Sequence, residues 1–351
     1  MKQYEVINGV PVHRVFSDVF KNKYLNQIVA GFNICRILWK FRNYYDIVHG
    51  FSTNIFYIPV FVFSKLLGKP VVLDFTIMAS KNVSMLQKIL YHISFFIFRA
   101  MDAYIAISTP LLQQMVEMGL PKSKCHLIPV GVYTDIFFPA DATRKSELRD
   151  KLNLDPNSFY LIFVGSFIQR KGVDTLIEIM DYLMKFEHDI HLIIVGQHEF
   201  PEGHSYQSFA DRMKSIIKNN RLSNRIRFIG LIPTDEVVQW LQACDIFIFP
   251  SRREGMPRVI VEAMSVGLPC ICSDLERIVF DLIVPGISGI IVESDDPSVY
   301  GEEIIKLIYN ASYRIQLGKE ARLVVVNKFD EKKLAIAYRN VFESLLPLSI
   351  E

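Results

Sequence analysis

Cysteine is scarce in this chain of 351 residues: there are five, an odd number, and no CxxC pair. That excludes a disulfide framework and the paired-thiol zinc folds. Four of the five lie in apolar runs, which points to reduced, buried thiols. An excess of charge of one sign is also missing. Lys plus Arg is 39, Asp plus Glu is 37, and the net charge is +2, so no global field directs the chain to nucleic acid. No repeat or low-complexity stretch appears, which excludes a solenoid. Long apolar runs are absent too. The 18 residues from Ile47 to Ser64 carry no Asp, Glu, Lys or Arg, but HGFSTN is polar and Pro59 interrupts the rest. A spanning helix needs about 20 mostly apolar residues. A short strand, a loop and a buried helix over 54–68 fit better. The opening MKQYEVINGVPVHRVF has no apolar signal core, so a cytoplasmic location is the expectation.

What is present is a chain rich in core material. Half of the residues are hydrophobic and 22% are charged, which suits two domains at about 150 residues each. The charge is unevenly spread. Residues 1–141 hold 14 Lys/Arg against 8 Asp/Glu, together with 23 of the 43 aromatic residues. A basic, aromatic first half suits an anionic surface, a membrane face among them; a core that favours Phe and Tyr explains the aromatics equally well.

Strands and helices alternate throughout. In the first half, Asp46–His49, Val71–Asp74, Tyr104–Ile107 and Cys125–Pro129 read as strands. Apolar helices run over 54–68 and Gln87–Met101, and Ser108-Thr109-Pro110 reads as a helix cap. The basic-ended stretch Lys88–Arg99 is either a core helix or an interfacial anchor. Phe138–Asp141 looks like a linker. Beyond it come strands at Tyr160–Val164, Ile190–Val195, Ile226–Ile229, Ile246–Pro250, Pro269–Ser273 and Gly289–Glu293. Helices are expected at Lys145–Leu154, Gly172–Phe186, Tyr206–Asn219, Thr234–Ala243 (with Thr234 as its cap), Pro257–Val266, Pro297–Asn310, Ala311–Lys328 and Asp330–Leu346. Two series of β-α units imply two doubly wound α/β domains with parallel sheets, and ligands of such sheets sit at the carboxyl ends of strands. A crevice between the domains is the default site.

Two local signals carry chemistry. In Phe249-Pro-Ser-Arg-Arg-Glu-Gly-Met-Pro-Arg-Val-Ile-Val-Glu a strand ends, a loop carries Glu254-Gly255-Met256, and Pro257 opens a helix that holds Glu262. Backbone N–H groups at such a helix start suit a diphosphate. The two carboxylates flanking it suit sugar hydroxyls. The neighbours of Glu262 are apolar, so its carboxylate is expected to be deep and in need of donors. In Leu161-Ile-Phe-Val-Gly-Ser-Phe-Ile-Gln-Arg-Lys-Gly a second strand ends at Gly165-Ser166, and Arg170 and Lys171 arrive just before a helix. Lys171 is a point charge able to neutralise a leaving diphosphate.

These stretches resemble the nucleotide-sugar half of glycosyltransferase family 4, of the GT-B fold. Asp46-Ile-Val-His, Gly68-Lys-Pro-Val-Val, Ile107-Ser108, Leu127-Ile-Pro-Val-Gly131 with Phe138-Pro139, and Pro285-Gly-Ile-Ser-Gly289 extend the likeness over nearly the whole chain. The resemblance implies two Rossmann-like domains facing across a cleft: an acceptor-side domain over 1–139, a nucleotide-sugar domain over 140–329, and a last helix within 330–351 crossing back to the first domain. It implies that Glu262 binds the nucleotide's ribose, that Glu254 contacts the transferred sugar, and that Gly255, Met256 and Pro257 lie against the diphosphate and sugar. By the same likeness Lys171 binds the diphosphate, with Gly165, Ser166 and Arg170 beside it, and Gly230 and Leu231 lie near the base. On the acceptor side the candidates are His49, which ends a strand facing the crevice, and Thr76, just after the strand Val71–Asp74.

Three departures stand out. Ser166 occupies the place of a usual Arg, with Arg170 as the substitute cation. Phe75-Thr76-Ile77 occupy the place of a usual His. The family's first strand, Gly-rich loop and helix have no counterpart here, so either the start lies upstream, which is the expectation, or the fold closes the gap otherwise, or a partner supplies the missing unit.

The implied reaction moves a sugar from a nucleoside diphosphate sugar to the hydroxyl of a glycan or lipid-linked acceptor, as a retaining, hexosyltransferase-like enzyme. It needs no metal and no cofactor beyond the donor substrate, makes no nucleic-acid contact, and brings a peripheral contact with the inner face of the membrane. The rival reading is a catalytically silent sugar-nucleotide-binding subunit. His198 and His204 read as residues of a solvated loop, and Cys270 and Cys272 as small buried hydrophobes on one strand face.

Overall fold

The structure is a computed structural model, and it describes residues 4–7, 9–15, 23–51, 58–76, 97–201, 203–219 and 222–347. The chain divides into two units, 1–128 together with 337–351, and 129–336.

The first unit opens with a hairpin of β1 (Tyr4–Ile7) and β2 (Val10–His13), whose turn contains Gly9 at φ +81°. This hairpin precedes the first strand expected from the sequence, at Asp46; its signal is an Asn-Gly pair between two short β-prone runs, the common sequence of a two-residue hairpin turn. A helix over Lys23–Lys40 follows, then β3 (Val48–Gly50), a helix over Ile58–Leu66, β4 (Val71–Phe75), β5 (Ala103–Ala106), a helix over Thr109–Glu117 and β6 (Cys125–Leu127). The four strands β3 to β6 pair in parallel and in chain order. β4 and β5 are buried at every residue, which is why both read as unbroken apolar runs rather than alternating ones. The expected helix over Gln87–Met101 lies outside the described residues up to 96.

Two caps differ from expectation. Ser108 sits at the N-cap of Thr109–Glu117 with Pro110 in the first turn, but its side chain makes no capping bond. Its hydroxyl is buried and has no hydrogen-bond partner. Thr234 is likewise not a cap: it is the first helical residue, with Pro233 before it.

The second unit begins with a helix over Ala142–Lys151, capped by Asp141, whose carboxylate accepts from Arg144 N at 2.8 Å. Then come β7 (Phe159–Val164), a helix over Val173–Leu183, β8 (Ile190–Val195), a helix over Gln207–Asn219 and β9 (Ile226–Gly230). A helix over Thr234–Ala243, β10 (Ile246–Phe249), a helix over Arg258–Ser265, β11 (Cys270–Ser273) and β12 (Ile290–Val292) follow. Helices over Pro297–Tyr309, Ala311–Lys328 and Glu331–Leu345 close the chain, the last of them shared between the units at Ala337. All six strands are parallel, in the order β12-β11-β10-β7-β8-β9. The direction of winding reverses between β7 and β10, and the carboxyl ends of those two strands are therefore where a ligand crevice opens in such a sheet.

The units part at Ile128/Pro129 rather than in the Phe138–Asp141 stretch. The carbonyl of Phe137 accepts from Ser265 Oγ and from Arg322, each at 2.6 Å, and Val132 N donates to Phe329 O at 2.9 Å. These bonds bind residues 129–138 into the second unit.

Burial sorts the five free thiols. Cys244, Cys270 and Cys272 are fully enclosed, and desolvation pushes their pKa values well up; Cys35 and Cys125 are half-buried and are raised by the same cause. A thiol reagent added to the folded protein is expected to label only Cys35 and Cys125, and mass spectrometry after denaturation is expected to find the other three newly reactive.

Candidate active site

The site in the second unit starts from a steric fact. Gly172 has φ +70°, and a Cβ placed on it would lie 1.9 Å from the carbonyl oxygen of Pro250. Only glycine allows the start of the Val173–Leu183 helix to press on the end of β10. A similar approach joins β7 and β8, because a Cβ on Gly196 would lie 2.2 Å from the oxygen of Gly165. Gly196 N donates to Gly230 O at 2.9 Å, so Gly165, Gly196 and Gly230 line up across the ends of β7, β8 and β9.

The contact at Gly172 lays the turn Gln169–Lys171 along the loop after β10. Arg252 clamps the two, with bonds from its guanidinium to both carboxylate oxygens of Asp174 (2.7 and 3.0 Å) and to Gln169 O (2.7 Å). Arg252 N donates to Arg170 O at 2.9 Å, and the Arg170 guanidinium returns a bond to Arg253 O at 2.7 Å. The Ser273 hydroxyl donates to Ser251 O. Within this frame Lys171 Nζ lies 2.7 Å from Glu254 Oε1, Arg170 reaches the same oxygen at 3.2 Å, and the Ser251 hydroxyl donates to it at 2.7 Å. Lys171 also lies 5.2 Å above the Phe249 ring, and its side-chain carbon Cδ passes beside Gly165. Glu254, Lys171, Arg170 and Gly165 are thus one cluster. Ser166 is half-buried next to it, on the strand end.

The helix starts one residue later than expected, at Arg258, with Pro257 as its N-cap. Pro257 and Met256 are buried, and Met256 Sδ accepts from Val130 N at 3.3 Å, which pins the loop from below. Gly255 keeps partial exposure at the helix start. Glu262 is 9% exposed, as deep as the apolar residues around it implied. Its donor comes from a residue that the motif reading left out: Arg258 Nε lies 3.2 Å from Glu262 Oε1. The signal was the i, i+4 spacing of an Arg and a Glu on one helix. Burial raises the Glu262 pKa, and the Arg258 guanidinium pulls in the opposite direction. At the far end, Leu231 follows Gly230 and is 77% exposed, while His198 packs on Phe228 at 4.9 Å between ring centroids instead of standing in a solvated loop.

The first unit has a separate polar cluster, at the carboxyl ends of β3 and β4. His49 Nε2 lies 2.7 Å from Asp74 Oδ1, and the Tyr338 hydroxyl donates to Asp74 Oδ2 at 3.1 Å. Phe51 and Phe342 pack on the His49 ring. Asp74 is 2% exposed in the middle of an apolar strand. Sequence reading singled out His49 but not the two residues that hold it; an acid inside Val71-Val-Leu-Asp-Phe was the available signal. Thr76 follows β4, half-buried.

Two Rossmann-like α/β units, each with its polar groups at the carboxyl ends of a parallel sheet, define a protein of the GT-B glycosyltransferase architecture. Residues 144–324 match the profile of the group 1 glycosyl transferases, and residues 2–136 match that of Glycosyltransferase Family 4. The chain belongs to the group 1 glycosyl transferases. An uncharacterized glycosyltransferase of Methanocaldococcus jannaschii is 25% identical over 98% of this chain and 83% of its own. The D-inositol 3-phosphate glycosyltransferase of Xylanimonas cellulosilytica is 25% identical, over 69% of this chain and 57% of its own length, so the chain spans little more than half of that relative. The structure of Anabaena HepE, solved with UDP and glucose, superposes with a TM-score of 0.79 over 94% of this chain and 86% of that one, at 19% identity. Among the described residues no helix is long and apolar enough to cross a membrane.

Two outcomes follow from these contacts. Removing the guanidinium in Arg258→Ala leaves burial alone to act on Glu262, so its carboxyl titrates at still higher pH, as read by NMR of the labelled side chain. A carboxyl whose folded pKa stands above its ordinary 4.5 loses stability as pH rises from there through the folded value, and that loss is larger in the variant. In the first unit, His49→Ala leaves a buried carboxylate short of a partner and costs about 3 kcal/mol in urea denaturation. The double variant with Asp74→Asn is expected to recover part of it.

Proposed function

We propose that this chain transfers a hexose from a nucleoside diphosphate sugar to an acceptor hydroxyl, with retention at the anomeric carbon. The observation that carries the reading is the cluster at the β7/β10 switch point: Lys171 and Arg170 lie 2.7 and 3.2 Å from one oxygen of Glu254, at the mouth of a helix start. The reaction's demand is electrostatic. As the C1–O bond to the diphosphate breaks, negative charge grows on the leaving oxygens. Lys171, Arg170 and the amide-rich start of the Arg258–Ser265 helix supply positive potential there, which is the part a divalent ion plays in other transferases. The acceptor oxygen bonds to C1 on the face that the diphosphate leaves, and the acceptor proton passes to a departing phosphate oxygen. No strong protein base is required.

Glu254 holds Lys171 in place and offers its second oxygen to the sugar's hydroxyls, and Glu262 accepts from the ribose. Gly230 and Leu231 border the base. HepE, which shares the fold, was solved with UDP, and that supports a uridine diphosphate sugar as the first donor to try. The basic, aromatic first unit supports a lipid-linked acceptor and work at the inner face of the membrane, with His49 and Thr76 on the acceptor side.

A second reading, a silent sugar-nucleotide-binding subunit, is favoured by two particulars. Ser166 removes one cation from the diphosphate end, and Phe75-Thr76-Ile77 stand where a His facing the sugar is usual. Purified protein given radiolabelled donors separates the two. On the transferase reading Lys171→Ala and Glu254→Ala abolish sugar transfer, the lysine accounting for a factor on the order of 10²–10³, whereas Glu262→Ala chiefly weakens nucleotide binding in calorimetry. Undiminished turnover in Glu254→Ala would remove its assigned role, and nucleotide binding without turnover in any donor would favour the silent subunit.

A further inference from the structure

We propose that the outer face formed by the helices Lys23–Lys40 and Ile58–Leu66 in the first unit is a docking surface for an anionic lipid bilayer. On the first of these helices Ile28, Phe32, Arg36 and Trp39 succeed one another at steps of four, four and three residues. At 100° per residue they share an arc of roughly 80°. A helix normally turns such an apolar stripe inward, yet here it faces out. Phe32 is 65% exposed, Trp39 is 53% exposed and Arg36 is exposed beside them, whereas Gly31, about 100° round the helix from the middle of that arc, is buried. The second helix repeats the pattern with exposed Val62 and Leu66, the latter at 79%. The two helices touch: the Trp39 and Phe63 ring centroids are 6.4 Å apart, and Cys35 Sγ lies 3.9 Å from Pro59 O. Their exposed rows therefore run side by side as one outward apolar patch rather than as scattered surface residues.

Charge selects the partner. Neither helix contains an acidic residue. Between residues 19 and 73 there are seven Lys/Arg and a single acid, Asp46, which itself stands 3.9 Å from Lys69. The Arg42 guanidinium lies 4.4 Å over the Trp39 ring, and Lys40 lies 5.2 Å from the Phe41 ring centroid. Tryptophan and phenylalanine interleaved with arginine and lysine is the composition that settles at the headgroup level of a negatively charged leaflet. A second copy of the same face would bring like charges together, which disfavours self-association there.

The inference gives the lipid-acceptor reading a surface, but its test needs no catalysis, so either can fail alone. The full chain is floated with vesicles of phosphatidylcholine alone or mixed with phosphatidylglycerol. Flotation is expected only with phosphatidylglycerol, and it fades as salt rises from about 0.1 M to about 1 M. Arg36→Ala and Lys40→Ala weaken binding by about fivefold each. Phe32→Ser with Trp39→Ser weakens it by about tenfold or more, while circular dichroism and nucleotide binding stay unchanged. Failure to float with phosphatidylglycerol, equal flotation with both lipids, or wild-type flotation of the Phe32→Ser/Trp39→Ser variant would overturn the proposal. So would a dimer in sedimentation equilibrium that the same variant dissolves, since the face would then be a contact between copies.

Discussion

The second unit depends on one contact, the backbone of Gly172 against the carbonyl oxygen of Pro250. A side chain there would occupy the same space as that oxygen. With glycine, the turn that carries Arg170 and Lys171 rests on the strand end that leads to Glu254. Arg252 then ties the two segments with charge-assisted bonds to Asp174, and Lys171 meets Glu254 at 2.7 Å. The site is thus assembled by a close backbone approach first and by ion pairing second. The close approach sets where the two segments lie, and Arg170 and Lys171 meet Glu254 within it.

Both units hold acids in apolar surroundings, and each manages the cost differently. In the second unit Glu262 is deep, and its neighbour one helical turn back, Arg258, supplies a donor along with an opposing charge. In the first unit Asp74 lies inside a buried strand and takes its bonds from two distant segments, His49 on β3 and Tyr338 on the C-terminal helix. An unpaired carboxylate in either place would be strongly unfavourable. The partner is local in one case and brought by the fold in the other. The Asp74 arrangement also fastens residues after Ala337 to the sheet of the first unit, so the chain's last helix belongs to two units at once.

Much of this was readable before any coordinates. Buried parallel strands announce themselves as short apolar runs, and β8 and the helices Thr234–Ala243 and Ala311–Lys328 fall at the expected bounds. The cluster of Gly165, Arg170, Lys171 and Glu254 was legible because each member follows a strand end or precedes a helix start, which places it at the carboxyl edge of the sheet whatever the strand order. Capping was less legible. Ser108 and Thr234 have the right chemistry at the right spacing, but a hydroxyl's direction depends on local backbone angles and packing, and neither one caps. Bonds from Ser265 and Arg322 to the Phe137 carbonyl hold the segment before the apparent linker in the second unit, and no local pattern in the sequence marks them.

The sequence by itself determined the class of the protein: two β-α series, a glycine-terminated strand followed by cations, and two acids framing a helix start. These are properties of neighbours along the chain, and local periodicity and spacing express them. Tertiary structure alone decided which groups meet across distance. Strand order sets β7 beside β10 and so joins Lys171 to Glu254, and it gives Asp74 to His49 and Tyr338. It also turns Phe32 and Trp39 outward. Local pattern can place such a residue at a strand end or on a helix face but does not name its partner, because partners depend on how sheets wind and on which face of a helix finds something to cover it.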